Sequence, residues 1–453
     1  MMYGRAKQLG QASIAFILLF SVTVNSQQRT SAALAKQHYE EGLQLLAKRD
    51  LDGAIEAFKK AISLAPKEAQ AHASLGYALG VKGQLADAIA ELQEAISLNP
   101  ELGEAHYYLG AARWFSKDID GAIVALRDAV RLVPQHANAH YYLGLSLQKN
   151  GDLDEAIEAF RAAIKLQPNM LHAYNDLGLA LMQKRDPDGA IAAFNEALKL
   201  DSGNMVAQLN IGMVLIQKGD YAAAVDQYRR IIVQAPESAE AHYNLGLALK
   251  QKDELADAEV ELRKAIELQP RLHEAHYILG TVLMQQSKLD DAAAVLKRAI
   301  DVKPDYAEAH FTLGTVMQQQ GNFAGAVAAL RQALVHAPNA PEIHNALGNA
   351  LRQTGDIEAA RVEFQEAARL NKIKSNQQAA MFATNTGIAK LKAGNVDEAI
   401  ETLQRAVQLD PTNAQAYYNL AKALQKKGQT AAARTAEQKA RELEATKRHK
   451  REN

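Results

Sequence analysis

Proline recurs along this chain at Pro66, Pro100, Pro134, Pro168, Pro236, Pro270, Pro304 and Pro338. The interval is 34 residues each time, or 68 where Ser202 stands in the series. Two other series keep the same step. One is Gly42, Gly76, Gly110, Gly144, Gly178, Gly212, Gly246, Gly280, Gly314 and Gly348. The other is Ala54, Ala88, Ala122, Ala156, Ala190, Ala224, Ala258, Ala292, Ala326 and Ala360. A fixed period of this length means that one supersecondary unit is stacked many times, each burying its apolar face only against its neighbours. A chain of 453 residues therefore need not divide into two or three globular domains.

Each unit reads as two helices. In 69–102, His72, Leu75, Gly76 and Leu79 fall on one helical face. Lys82-Gly83-Gln84 makes the turn, and Ala88, Leu92, Ala95 and Ile96 form the apolar face of a second helix. Asn99-Pro100 ends it, because proline cannot continue a helix and disfavours α geometry at the residue before it. Gly76 and Ala88 lack bulk where the helices cross closely, and Leu75 and Leu92 fill the space between.

On these positions the chain resembles the tetratricopeptide repeat family, whose period is also 34 residues. One unit carries His140, Leu143, Gly144, Leu147, Ala156, Phe160, Ala163 and Pro168 where the family has its large, small and terminating residues. The resemblance implies an all-α, right-handed superhelical solenoid of about twelve helix-turn-helix repeats, starting at 35, 69, 103, 137, 171, 205, 239, 273, 307, 341, 380 and 414. Ten contiguous repeats fill 35–374, an insertion occupies 375–379, and two further repeats, the last a cap, fill 380–447. The joint before repeat 11 is expected to be weak: Lys372 replaces proline, Thr386 and Lys390 replace apolar residues, and Ile388 and Leu391 are displaced. Arg113 replaces a leucine in repeat 3, and Ala421 and Glu437 replace a glycine and a large residue in repeat 12. A polar last helix suits a cap. The basic tail 448–453 reads as a solvated end.

The N-terminus differs. Arg5 and Lys7 precede an apolar run from Ala12 to Val24, and Val24 and Ser26 stand at −3 and −1 before Gln27. This is the layout of a secretory signal peptide over 1–26, with 27–34 as a linker. The run is shorter than the ~20 residues of a spanning helix, and an uncleaved anchor is the alternative. The expected location is outside the cytoplasm, periplasmic or extracellular, with membrane contact only through that segment if it is kept.

Several chemistries are disfavoured. No cysteine is present, so disulfides, thiolate catalysis and cysteine-held zinc are excluded. With 51 basic against 52 acidic residues there is no general attraction to nucleic acid. The sequence has no phosphate-binding loop, nucleophile elbow or His-Glu-x-x-His motif. No enzyme activity, cofactor or metal is expected. Histidine recurs at position 4 of the repeat as His38, His72, His106, His140, His242, His276, His310 and His344. Equivalent helices stand too far apart to share one ion, since even touching helices lie ~8–10 Å apart on axis. These rings are read as filling the space between helices. His136 and His140 share a face but have no third ligand near in sequence.

Position 5 carries Tyr39, Tyr107, Tyr141, Tyr243, Tyr277, Phe311 and Tyr418, and position 12 includes Trp114, Met182 and Met284. Position 13 carries Gln183, Gln217, Gln251, Gln285, Gln319 and Gln353. In the family this side of the first helix lines the concave groove. Rings with polar tips anchor partners, and glutamines can pair with an extended backbone. The plain alternative is that the rings cover gaps between repeats. Tyr243, Tyr277 and Phe311 with Gln251, Gln285 and Gln319 are the expected main surface, and Tyr107, Trp114 and Tyr141 the second candidate. Acidic residues at position 2 (Glu104, Glu240, Glu274, Glu308, Glu342) suit a basic partner or simply the first helical turn. The sequence thus points to a protein-interaction scaffold of unidentified partner and oligomeric state. The alternatives are a self-associating spacer of an envelope complex and a binding arm for an enzyme on another chain.

Overall fold

The computed structural model describes residues 31–452, and every regular element among them is a helix. The expected leader, 1–26, lies outside the described residues. Two compact bodies divide the chain at Pro236 and Glu237. The N-terminal body contains α1 (31–47), α2 (Leu51–Leu64), α3 (Ala69–Val81), α4 (Leu85–Leu98), α5 (Gly103–Phe115) and α6 (Ile119–Leu132). It continues with α7 (Ala137–Asn150), α8 (Leu153–Leu166), α9 (Leu171–Gln183), α10 (Pro187–Leu200), α11 (Met205–Lys218) and α12 (Tyr221–Gln234). The C-terminal body contains α13 (Ala239–Gln251), α14 (Leu255–Leu268), α15 (His273–Gln285), α16 (Leu289–Val302), α17 (Ala307–Gln319) and α18 (Phe323–His336). It ends with α19 (Pro341–Gln353), α20 (Ile357–Lys392), α21 (Val396–Leu409), α22 (Ala414–Lys426) and α23 (Thr430–Glu452). Residues 31–34, read from the sequence as linker, already belong to α1, and residues 448–452 of the basic tail continue α23.

Each hairpin closes on one close approach. A Cβ on Gly76 would sit 2.6 Å from Leu92 Cγ, and one on Gly178 would sit 2.5 Å from Phe194 Cε1. The pairing repeats in every unit from Gly42 against Phe58 to Gly387 against Leu403. The large residue at position 24 fills the space that the glycine leaves, and Phe58, Phe160, Phe194 and Leu330 are fully buried. Repeat 12 changes both members together. Ala421 is buried, its partner position holds Glu437, and α23 packs through Ala433, Ala436 and Ala440 instead. Glu437 instead pairs with Arg441 at the surface, which leaves room for the methyl on Ala421.

The turn between paired helices needs left-handed backbone at position 15. Glycine supplies it at Gly83, Gly151, Gly219, Gly321 and Gly355. Arg49, Lys117, Arg185, Asp253 and Ser287 adopt it at φ 61–67° despite their side chains. Asp50, Asp118, Asp186 and Asp220 then cap the second helix by accepting from a backbone N–H three residues on.

The recurrent histidine has a structural task. Nε2 of His106, His276, His310 and His344 bonds the carbonyl of the proline six residues earlier at 2.9–3.0 Å. In these repeats the ring ties the start of the first helix to the loop before it. Where Ser202 replaces proline, Gln208 replaces histidine and its amide donates to the Ser202 carbonyl at 2.9 Å. His72, His242 and His344 also bond Glu91, Glu261 and Glu363 through Nδ1 at 2.6–2.7 Å. His136 caps α7 by accepting from Ala139 N–H, while His140 bonds the Pro134 carbonyl.

The junction of repeats 10 and 11 departs from expectation. No irregular joint interrupts it: α20 is one helix of 36 residues containing the whole 375–379 insertion. Nothing in Asn371–Ala380 stops a helix, because neither proline nor glycine occurs there. The consequence is a gap in the stacking. Position 3 of the first helix is buried in regular repeats, as at Ala105, Ala241 and Ala309, yet Phe382 at that position is 74% exposed. Position 21 faces the next repeat as Ile55, Ile123 or Ile157 elsewhere but is Arg361 here, exposed to water. The core of repeats 9 and 10 around Leu330 and Leu347 is accordingly separate from that of repeats 11 and 12 around Leu403 and Leu424.

Candidate functional site: the inner face of the first helices

Within each body successive first helices touch, as α3 with α5, α5 with α7, α13 with α15 and α15 with α17. No comparable contact joins successive second helices among the described residues. The first helices therefore form the tighter, inner face of the stack. Position 13 places Gln251, Gln285 and Gln319 at the ends of α13, α15 and α17, and all three side chains are exposed.

The rings at position 5 are half-buried. Tyr277 packs on Tyr306 with ring centroids 5.1 Å apart, and Phe311 lies against the core of repeats 9 and 10. Burial, with Glu274 nearby, pushes the Tyr243 phenol up. Burial also pulls the Lys250 ammonium down, on the same helix α13. Phe311 thus packs toward repeat 10, and Tyr277 against Tyr306, the cap residue before α17.

In repeats 3 to 5 the same position is more crowded. Tyr107 has the rings of His136 at 4.3 Å, Tyr108 at 5.2 Å and Tyr142 at 6.1 Å. Trp114 is half-buried against the core of repeats 3 to 6. Tyr141 donates to Asp176 Oδ2 at 2.7 Å, joining repeat 4 to repeat 5. Burial pushes the Asp176 carboxyl up, against the opposing pull of the Tyr141 hydroxyl and His172. Burial pulls the His136 imidazole down.

The sequence reading passed over a cleft in repeats 2 to 4. A hollow of about 170 Å³ opens between α3 and α5, walled by Tyr77, Val81, Tyr107, Tyr108, Phe115 and Tyr142. Tyr77 and Tyr108 lie 4.7 Å apart, and Phe115 and Tyr142 6.1 Å apart. Val81 and Phe115, 54% and 60% exposed, occupy position 13, where repeats 5 to 10 carry glutamine. That exchange, with tyrosine at position 9 in Tyr77 and at position 6 in Tyr108 and Tyr142, was the available signal. Burial, with Glu104 next in weight, holds the Tyr108 phenol up at about 12.

Comparison with known proteins agrees with the repeat. Family models described as tetratricopeptide repeat match residues 39–103, 79–137, 141–204, 209–273 and 251–307. Others of that description match 181–232, 283–346, 317–372 and 414–446, and one described as TPR repeat matches 387–428. No curated protein matches the chain. Among solved structures, one of MamA protein is 33% identical, covering 37% of this chain and 92% of that one at a TM-score of 0.35. A second, of YrrB, described as a TPR protein with an unusual peptide-binding site, is 24% identical over 41% and 95% of the two chains at 0.36. The Cut9-Hcn1 hetero-tetramer of the APC/C is 16% identical over 93% and 96% at 0.35.

Proposed function

The chain belongs to the tetratricopeptide repeat family, and on that premise we propose that it is a non-catalytic scaffold holding partner proteins along the inner face of its first helices, outside the cytoplasm. The observation that carries this reading is the step of Gln251, Gln285 and Gln319, exposed side by side along half-buried Tyr243, Tyr277 and Phe311. Each amide offers a donor and an acceptor to an extended backbone, and each ring offers an apolar anchor. A long segment crossing three repeats meets the same pair of groups three times. Aromatic anchors commonly dominate such interfaces, at about 2 kcal/mol or more for a hot spot. Location outside the cytoplasm is supported by Arg5, Lys7 and the Ala12–Val24 run of the sequence.

The test is affinity capture from envelope extracts with mass spectrometry. The intact chain is run beside one in which Gln251, Gln285 and Gln319 are replaced by glutamate. These side chains are exposed, so the fold is retained while the face becomes anionic. A partner held by the intact chain and lost by the variant supports the proposal; equal recovery of every partner by both chains sinks it. A second reading, a self-associating spacer, is favoured by Met381 and Phe382, 60% and 74% exposed on repeat 11. Light scattering separates the two: the scaffold is a monomer before its partner arrives.

A further inference from the structure

The cleft of repeats 2 to 4 differs from the rest of the inner face in lacking the glutamines and in gathering tyrosines. Tyr77, Tyr107, Tyr108 and Tyr142 line one hollow together with Leu85, Ala111 and Ala112. None of the four hydroxyls makes a hydrogen bond to another described residue. Glu104 stands on α5 three residues before Tyr107 and four before Tyr108, which places it on the same helical face. Its side chain is exposed and makes no ion pair among the described residues. Of the cations flanking the cleft in sequence, Lys82 and Arg113 are already engaged, and exposed Lys117, past the end of α5, is not among the lining residues. Lys82 pairs with Asp52 on the preceding repeat, and Arg113 bonds the Gly121 carbonyl at 3.1 Å beside Asp118. The cleft is thus an aromatic hollow with one uncompensated carboxylate at its edge and no free cation inside it.

Building on the scaffold reading, we propose that this cleft is a specific subsite for a basic residue, a lysine or arginine side chain projecting from an extended partner segment. The aliphatic stem lies on Val81, Leu85 and Ala111, as long cationic side chains lie along apolar surface with the charge at the tip. The charge then stands over a tyrosine face, within the ~6 Å over which a ring attracts a cation. Glu104 supplies the countercharge. A purely apolar occupant fills the same hollow but leaves Glu104 partly desolvated without compensation, which is unfavourable. Glu104 also contributes to holding the Tyr108 phenol up, in keeping with a carboxylate close to that ring.

The chain's single tryptophan, Trp114, lies on α5 next to Phe115 and reports binding by fluorescence. Two acetylated nonapeptides of alternating serine and alanine, with arginine or norleucine at the centre, are titrated into the full chain. The arginine peptide is expected to bind about tenfold more tightly or better, and to weaken as salt rises. Glu104→Gln is expected to weaken it about fivefold while leaving the norleucine peptide unchanged, the scale of one exposed charge pair. Tyr108→Leu, checked by circular dichroism for retained helix, is expected to weaken it similarly. Equal or tighter binding of norleucine identifies a plain apolar pocket and overturns the proposal, as does no binding of either peptide. The scaffold reading fails separately. A partner captured through repeats 7 to 9 that ignores Glu104→Gln and Tyr108→Leu leaves the scaffold standing and removes this subsite. Arginine-selective binding with no captured protein does the reverse.

Discussion

The packing of Gly280 against Leu296 predicts a strong coupling between two otherwise damaging substitutions. A Cβ on Gly280 would meet Leu296 Cγ at 2.6 Å and Cδ2 at 2.7 Å, and Leu296 is fully buried. Cγ is a branch point, so the side chain cannot yield by moving only its tip. Gly280→Ala gains about 1 kcal/mol of helix propensity and loses about 1–3 kcal/mol to overpacking, for a net loss of up to about 2 kcal/mol. Leu296→Ala leaves a cavity and costs about 2.7–5 kcal/mol. In the double variant the new methyl enters that cavity, the clash vanishes and the propensity gain remains. Its stability is expected to exceed that of Leu296→Ala alone by about 1 kcal/mol, with a favourable coupling of about 1–3 kcal/mol. Repeat 12 makes a comparable paired exchange, with Ala421 and Glu437. Solenoids unfold through partial states, so amide exchange in α15 and α16 is read alongside guanidinium denaturation. Additive losses, or a Gly280→Ala chain more stable than the parent, would refute the reasoning.

Arg185 at φ 62° pays for left-handed backbone that glycine adopts freely. Arg185→Gly is expected to raise stability by a few tenths to about 1 kcal/mol, whereas Gly219→Ala, with no atom near its new Cβ, is expected to lower it by about 1 kcal/mol for backbone reasons alone. A thermal shift of the wrong sign in either variant contradicts this. Asp176 is raised by burial, so the folded state holds its proton more firmly than the unfolded chain does, and stability falls as pH rises through that raised value. Asp176→Asn is therefore expected to stabilise at pH 7, with the gain fading as pH drops below about 4, where the unfolded carboxyl also protonates; an undiminished gain at pH 3 shows that charge burial is not the cause. Asn376→Pro breaks α20 at a local cost of about 3 kcal/mol and is expected to speed tryptic cleavage at Lys372 or Lys374 while repeats 11 and 12 keep their fold, since their core is separate. Cooperative loss of helix on both sides contradicts the separation of cores.

The repeat and the small-to-large pairing within each hairpin were legible because sterics imposes them identically ten times over. Gly76 must be small if Leu92 is large, and the sequence displays that rule at a constant interval. The junction at 371–380 was legible only as an irregularity. Counting an insertion shows that the register shifts but not whether the chain turns or continues, and here the absence of a helix-stopping residue decided for one long helix. Arg361, standing where repeats 1, 3 and 4 bury isoleucine, was an available sign of the open face that the sequence reading passed over. The candidate surface was half legible. Position 5 drew attention to Tyr107 and Tyr277, but a cleft depends on side chains from adjacent helices, and Tyr77 and Phe115 meet only when α3 and α5 are placed side by side. The histidines show the same limit: their spacing suggested packing, while the bond from His106 to the Pro100 carbonyl required the fold.

Site-specific photo-cross-linking tests the central claim most directly. A benzophenone amino acid is placed at Gln285, on the inner face of α15, and in a second chain at Val260, 64% exposed on the second helix of repeat 7. Both chains are expressed in the native cell and irradiated, and adducts are identified by mass spectrometry. The account predicts a discrete protein adduct from Gln285, recovered outside the cytoplasm, and none from Val260. The same adduct from Val260 with none from Gln285 would contradict it, placing the partner on the second helices.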